Sequence, residues 1–147
     1  MTRSEGRMRA GVAGWPVEHS RSPLIHNFWL KRLAIDAVYG RFPVPPGGFA
    51  GFAERIGRDG LVGVNVTIPH KEAAFAACDR RTAVAEALAA VNVLWREDGL
   101  LCGDNTDVAG FLANLDESAP GWAERPPSAF DKRLLRMNPS QGSRMIR

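Results

Sequence analysis

The sequence of 147 residues contains few of the residues that bind metal ions or form disulfide frameworks. Its two cysteines, Cys78 and Cys102, are not in a C-x-x-C spacing, and its three histidines form no H-E-x-x-H pattern. We therefore expect no metal centre, and we expect two buried thiols in a reducing cytoplasm. The sequence has no apolar run near the ~20 residues that span a bilayer, and no secretory signal follows its polar, Arg-rich start. These absences predict a cytoplasmic protein that has no membrane partner.

An excess of positive charge is also missing from most of the chain. From Phe130 onward the sequence holds five basic residues and one acid, which leaves 14 of the 19 basic and 15 of the 16 acidic residues in the remainder. The net charge of +3 therefore belongs to the last segment, and we expect no nucleic-acid partner for the body of the protein. The alternative is that this segment contacts nucleic acid or another anionic partner, although Phe130 is its only aromatic residue.

The composition, 45% hydrophobic and 24% charged, is typical of one globular domain. Extended and helical patterns alternate along the first half of the chain, and Asp98-Gly99 between two apolar runs then indicates a hairpin. The predicted strands cover 8–13, 37–44 and 61–68, the hairpin strands cover 91–96 and 100–103, and the helices cover 22–33, 49–56, 69–77, 82–89 and 106–115. We predict an α/β fold, in which helices flank a mostly parallel sheet with an antiparallel hairpin at one edge.

The segment Asn65–Lys71 joins a predicted buried strand to the start of a helix. Asn65 and Thr67 alternate with aliphatic residues, so these two polar side chains share one face of the strand. Pro69 suits the first turn of a helix, which places Lys71 in that turn. The helix dipole disfavours a cation there by roughly 0.3–1 kcal/mol. Lys71 is therefore either retained for acid–base chemistry or is a surface lysine whose stem covers apolar surface.

Ser20 and Ser22 precede the predicted start of the first helix. Ser22 is a good N-cap, and Pro23 suits the first helical position. Two hydroxyls beside free backbone N–H groups at a helix N-terminus can form a site for a carboxylate or a phosphate. The alternative is that Ser22 only caps the helix and Ser20 only stabilises a turn.

Two further polar positions fall where predicted strands and helices meet. Asn92 lies between two valines, and a buried amide there needs hydrogen-bond partners from the protein or from a ligand. Residues 104–106 are normal caps for the helix that follows. Asp107 lies one step inside that helix, where it can pair with a cation such as Lys71.

Together these segments closely resemble the substrate-binding domain of shikimate dehydrogenases. The resemblance runs from about Met8 to Leu115 and rests on four stretches in the same order: GWPVEHSRSP (14–23) with IHN (25–27), GVNVTIPHK (63–71), AVN (90–92) and GDNTDVAG (103–110). Each stretch alone is moderately specific. Four in order favour a binding site over the purely structural alternatives.

The resemblance implies roles for seven side chains of one pocket. Ser20 and Ser22 would hold the carboxylate of shikimate, Asn65, Thr67 and Asn92 would line the pocket, the last two bonding ring hydroxyls, and Lys71 and Asp107 would be the catalytic acid–base pair at the C3 oxygen. It also implies an enzyme that reduces 3-dehydroshikimate with NADP as cofactor, in the path to chorismate and the aromatic amino acids. Quinate is the alternative substrate.

The sequence departs from this family after the last of these stretches. Shikimate dehydrogenases have a second, Rossmann-type domain, and these 147 residues contain no G-x-G-x-x-G. We expect residues 8–116 to form the substrate-binding domain and 117–147 to be a linker and a disordered tail that does not belong to the family. The abrupt change near Ala129 indicates a frameshifted reading, a truncated reading or a deliberate fragment. Such a chain should bind shikimate weakly, turn over little or nothing, and self-associate through exposed apolar surface. The alternative is a non-catalytic module that binds a small hydroxy acid.

Overall fold

A computed structural model of the protein describes residues 7–124. The described chain divides into two compact units, with the division between Asp107 and Val108. The strands of the first unit are β1 (Met8–Gly14), β2 (Ala37–Pro43), β3 (Leu61–Val66), β4 (Arg80–Arg81), β5 (Val93–Glu97) and β6 (Leu100–Asp104). Its helices are α1 (Ser22–Arg32), α2 (Phe49–Ala53), α3 (Lys71–Ala77) and α4 (Ala83–Leu88). Helix α5 (Asp107–Ser118) begins at the last residue of this unit, and a 3-10 turn follows at Trp122–Glu124.

The strands form one mixed sheet in the order β2-β1-β3-β5-β6-β4. The pairs β1–β2, β1–β3 and β4–β6 are parallel, whereas β3–β5 and β5–β6 are antiparallel. The predicted α/β class is therefore confirmed. The hairpin β5–β6 does not close the sheet at its edge, however, because the two-residue strand β4, which the sequence did not reveal, pairs with β6 beyond it.

One face of the sheet carries the main hydrophobic core. Helices α2, α3 and α4 cover this face, and their apolar residues pack on those of β3, β5 and β6. The most completely buried members of this core are each 0% exposed: Ala13, Ile56, Ala74, Ala85, Val91 and Leu94. None of the helices within residues 7–124 is long and apolar enough to cross a membrane.

Helix α1 leaves most of its apolar face exposed. Leu24, Phe28, Trp29 and Leu33 recur at helical spacing and are between 51% and 74% exposed. The reason is that Asn27 fixes the helix to β2, donating to the carbonyl of Tyr39 at 2.8 Å and accepting from its N–H at 2.9 Å. This pairing turns the apolar stripe of α1 away from the main core.

Several helix boundaries also differ from prediction, and α2 ends at Ala53 and not at residue 56. Helix α3 begins at Lys71 and not at Pro69, because the N–H of His70 donates to the carbonyl of Thr67 at 3.0 Å and closes a turn there. Ser22 is the first residue of α1 and not its N-cap, a position that Arg21 holds without a side-chain cap. Helix α5 extends three residues past the predicted end at Leu115. Of the predicted linker and tail over 117–147, residues 117–124 include the end of α5 and the 3-10 turn, and the remainder lies outside the described residues.

Candidate functional site

Polar residues gather at one end of the central strands, where β1 and β3 end and β5 begins. This end of the strands is called the site edge below. The N–H of Thr67, just after β3, donates to the carbonyl of Ala13 on β1 at 2.9 Å. The carbonyl of Asn92, just before β5, accepts from the N–H of Val66 at 2.7 Å, and the N–H of Asn92 donates to the carbonyl of Asp104 at 2.9 Å. Thr67, Asn92 and the start of α5 are therefore neighbours, although they are distant in sequence.

Lys71 and Asp107 form an ion pair at the site edge. Lys71 is the first residue of α3 and Asp107 the first of α5, and the Lys71 Nζ donates to Asp107 Oδ2 at 2.5 Å. A helix N-terminus favours the carboxylate and disfavours the ammonium, so Asp107 offsets the unfavourable field that acts on Lys71. The side chains are 34% and 53% exposed, which leaves the pair accessible to a ligand.

Two buried asparagines orient Asp107. The Nδ2 of Asn92 donates to Asp107 Oδ1 at 2.7 Å, and its Oδ1 accepts from the N–H of Thr106 at 3.0 Å. Asn105 accepts from the N–H of Asp107 at 3.1 Å and donates to the carbonyl of Ala90 at 3.0 Å. Each carboxylate oxygen of Asp107 thus has its own hydrogen-bond donor. Both the oxygen and the nitrogen of the Asn92 amide bond to protein groups and not to an open site.

Asn65 and Thr67 retain unused polar groups. The Oδ1 of Asn65 accepts from the hydroxyl of Tyr39 at 2.6 Å. The Nδ2 of Asn65 and the hydroxyl of Thr67 make no hydrogen bond to any residue between 7 and 124. Both side chains are partly exposed, so these groups are open to a ligand. The structure therefore groups Thr67, Asn92, Lys71 and Asp107 at the site edge, with Asn65 next to them on β3.

Ser20 and Ser22 form a second group, on the loop between β1 and α1. Their hydroxyls lie 3.2 Å apart, and the N–H of Ser22 is 3.3 Å from Ser20 Oγ. The guanidinium of Arg41 on β2 donates to the carbonyl of Ser20 through Nε at 3.2 Å and a terminal nitrogen at 2.6 Å. Within residues 7–124 no hydrogen bond joins these serines to Lys71 or Asp107. They and the cationic Arg41 form a local group suited to an anion.

Gly14 allows β1 to pass close to Thr67. A Cβ at position 14 would lie 2.5 Å from Thr67 Cγ2 and 3.1 Å from the carbonyl oxygen of Ile68. We expect Gly14→Ala to lower the free energy of unfolding by about 1–3 kcal/mol, because the added methyl overpacks this junction. Urea denaturation measures the change. Gly40→Ala on β2, where a Cβ meets nothing within 4 Å, is the matched control and should change stability far less.

An equal loss in both glycine variants would show that chain stiffness, and not contact with Thr67, explains the effect.

An apolar groove of about 600 Å³ lies between α1 and the sheet. Asn65, Tyr39 and His26 border it, together with several exposed apolar side chains. Lys71 and Asp107 do not border it. Asn65 therefore lies at the border between this groove and the Lys71–Asp107 pair.

The cysteines and the metal-ligating residue types add no second site within the described residues. Cys78 and Cys102 are free and buried. Burial raises the pKa of the Cys78 thiol to about 11, so the unreactive protonated form dominates at neutral pH. No group of three His, Cys, Asp or Glu residues within 7–124 could hold a metal ion.

Sequence reasoning missed three residues that shape the site: Tyr39, Arg41 and Asn105. Asn105 was treated as an ordinary cap, and its place two residues before Asp107 was the only signal of its role. Tyr39 and Arg41 act across strands, through bonds to residues 26 and 21 positions away. No local pattern in the sequence announces such contacts.

Most of this chain is similar in sequence to known proteins. A family model described as the shikimate dehydrogenase substrate binding domain matches residues 12–94. The curated shikimate dehydrogenase (NADP(+)) of Brucella abortus strain S19 is 57% identical over 114 residues, which cover 78% of this chain and 39% of the relative. The enzyme of the same name from Methylocella silvestris is 53% identical over 121 residues, covering 82% and 43%.

A solved structure agrees with these matches. Shikimate 5-dehydrogenase from Thermus thermophilus, in complex with NADP(H) and shikimate, superposes with a TM-score of 0.71 and 38% sequence identity. The match covers 76% of this chain and 42% of that chain. The chain therefore spans about two fifths of the length of the relatives that it matches, at 39% and 43% for the two curated enzymes.

Proposed function

The chain belongs to the family of the shikimate dehydrogenase substrate-binding domain, and from that membership we propose that it binds the substrate of an NADP-dependent shikimate dehydrogenase. The activity of the whole enzyme is the reduction of 3-dehydroshikimate to shikimate. Residues 7–124 would supply the substrate side of this reaction.

One observation carries the proposal: the Lys71–Asp107 ion pair held beside Asn92. An amine and a carboxylate at 2.5 Å, one-third and one-half exposed, are placed to exchange a proton with a ligand oxygen. The unused Asn65 amide and Thr67 hydroxyl on the neighbouring segment suit a ligand that carries several hydroxyls. Ser20, Ser22 and Arg41 suit its carboxylate.

Each of these side chains has a chemical task in the proposal. The Lys71 ammonium would donate a hydrogen bond to the C3 oxygen and pass a proton to it as negative charge develops there. Asp107 would hold Lys71 in place and keep its amine near the reacting oxygen. Asn92 would hold Asp107, so that the pair does not rearrange when the ligand arrives.

Residues 7–124 do not fit a dinucleotide. A Rossmann site needs a glycine-rich turn, G-x-G-x-x-G, between a strand and a helix. Within residues 7–124, Gly47-Gly48 alone stand just before a helix that follows a strand, and they open the five-residue helix α2 without that spacing. No hydride step is therefore assigned to residues of this chain.

We further propose a cellular location and a pathway for the protein. We place it in the cytoplasm, where its two buried free thiols would remain reduced, and in the path to chorismate and the aromatic amino acids. Its ligand would be a small ring acid and not a nucleic acid or a membrane. Self-association through the exposed apolar stripe of α1 stays a prediction that size-exclusion chromatography can check.

Calorimetry of the full 147-residue chain tests the proposal. We expect shikimate to bind at one site with a Kd of about 0.1–1 mM, because the described residues supply only the substrate side of the proposed pocket. Quinate, titrated in parallel, reports how the pocket ranks two related ring acids. Absence of binding heat at saturating shikimate would contradict the proposed function.

A second arm of the experiment separates the enzyme from a pure binding module. The chain is incubated with shikimate and NADP, and nicotinamide reduction is followed by absorbance. Binding without a measurable rate is expected from residues that fit no dinucleotide. A clear rate would show that the chain holds a cofactor site that its described residues do not reveal.

A further inference from the structure

Tyr39 is a buried residue that contacts Asn65 of the candidate site from a different strand. It lies on β2 and is 5% exposed, and β1 separates it from β3. Its hydroxyl reaches over β1 and bonds Asn65 Oδ1 at 2.6 Å. The two residues therefore interact across two strand spacings and 26 positions of sequence.

The direction of this hydrogen bond determines which end of the Asn65 amide faces a ligand. A phenol that donates to Oδ1 leaves both N–H groups of Nδ2 for other partners. The reversed amide would make the phenol an acceptor and would leave its own proton without an acceptor among the described residues. Burial raises the pKa of Tyr39 to about 12, so the hydroxyl keeps this proton throughout the neutral range.

Other contacts hold Tyr39 rigidly. Its ring stacks on His26 with a centroid distance of 4.1 Å and an interplanar angle of 12°. Asn27 bonds both its backbone N–H and its carbonyl. His26 Nδ1 in turn lies 2.8 Å from the carbonyl of Ser22. Because Tyr39 is fixed on both sides, it can determine the orientation of a half-buried amide.

We propose that Tyr39 is a positioning residue that makes Asn65 a hydrogen-bond donor only. The site would then accept, at Asn65, a ligand oxygen with free lone pairs, such as a hydroxyl oxygen or a carboxylate oxygen. It would reject a group that can only donate. This proposal rests on the proposed function, because it assumes that Asn65 faces the ring acid.

The variant Tyr39→Phe removes the hydroxyl and keeps the stacked ring. We expect shikimate affinity to fall about 5- to 10-fold, as for one lost hydrogen bond. In the background Asn65→Ala, Tyr39→Phe should change affinity less than about twofold, because Tyr39 acts only through Asn65. Equal losses in both backgrounds would mean that Tyr39 merely supports the fold, and would overturn the proposal.

A ligand-free measurement tests the amide orientation directly. In the NMR spectrum of the wild-type chain, contacts from the Tyr39 ring protons to the Asn65 Nδ2 protons should be weak, because Nδ2 points away from the phenol. Strong contacts would overturn the inference whether or not shikimate binds. Weak contacts in a chain that does not bind shikimate would uphold the orientation and contradict only the proposed function.

Discussion

Lys71→Ala is expected to lower kcat by about 10²- to 10⁴-fold, the range that a positioned general acid contributes. Shikimate affinity should change less than about tenfold, because the remaining pocket groups still hold the ring. The measurement needs a partner that binds the cofactor. A suitable protein is a chimera of the Brucella abortus enzyme, in which this chain replaces the 114 matched residues.

Two further variants sharpen this prediction. Lys71→Arg keeps the positive charge and a partner for Asp107, but a guanidinium does not release its proton, so we expect activity as low as that of Lys71→Ala. Lys31→Ala removes an exposed lysine from α1 and should leave kcat unchanged. A Lys71→Ala chimera with near-normal kcat would remove Lys71 from the acid–base role.

Asn92→Ala is expected to lower shikimate affinity by about 10- to 100-fold. The change deletes the donor to Asp107 Oδ1 and the acceptor of the Thr106 N–H, and a bond to a charged group is worth about 1.5–3 kcal/mol. Asp107 is then free to turn away from Lys71. Calorimetry on the full chain measures the loss.

A matched variant separates this effect from general loss of stability. Thr82 caps α4 and bonds Asp104 Oδ1 at 2.5 Å, but it does not touch Asp107. Thr82→Ala should cost about 1 kcal/mol of unfolding free energy and leave shikimate affinity near that of the wild type. If both variants weaken binding equally, Asn92 supports the fold of the site edge and has no particular role at Asp107.

Much of the fold follows from local chemistry of the chain. The alternation of extended and helical patterns predicted the α/β class, and Asp98-Gly99 predicted the hairpin, where both residues adopt the positive φ that such a turn needs. Pro69 predicted that Lys71 lies at a helix start. Because Pro69 lies in a turn before the helix, the helix begins at Lys71 itself. The family was also identifiable, because four short stretches retain the order and spacing of its site.

Local sequence patterns did not predict which face of a helix is buried or which strand lies at the edge of the sheet. The apolar stripe of α1 has regular helical spacing, but its burial depends on what lies opposite, and Asn27 turns that stripe outward. The hairpin was expected at the edge of the sheet. Which strand lies at the edge depends on whether a further strand pairs beyond the hairpin, and β4 does so here. A two-residue strand such as β4 has too few residues to show any period.

The sequence by itself determined which residue types stand at the strand ends, because proline, asparagine and the helix caps act over a few neighbouring positions. Only the tertiary structure decided which of them meet. Lys71 pairs with Asp107 across 36 positions, and Tyr39 bonds Asn65 across 26. Such contacts arise from strand order and register, which the packing of the whole sheet sets and no short stretch of chain encodes.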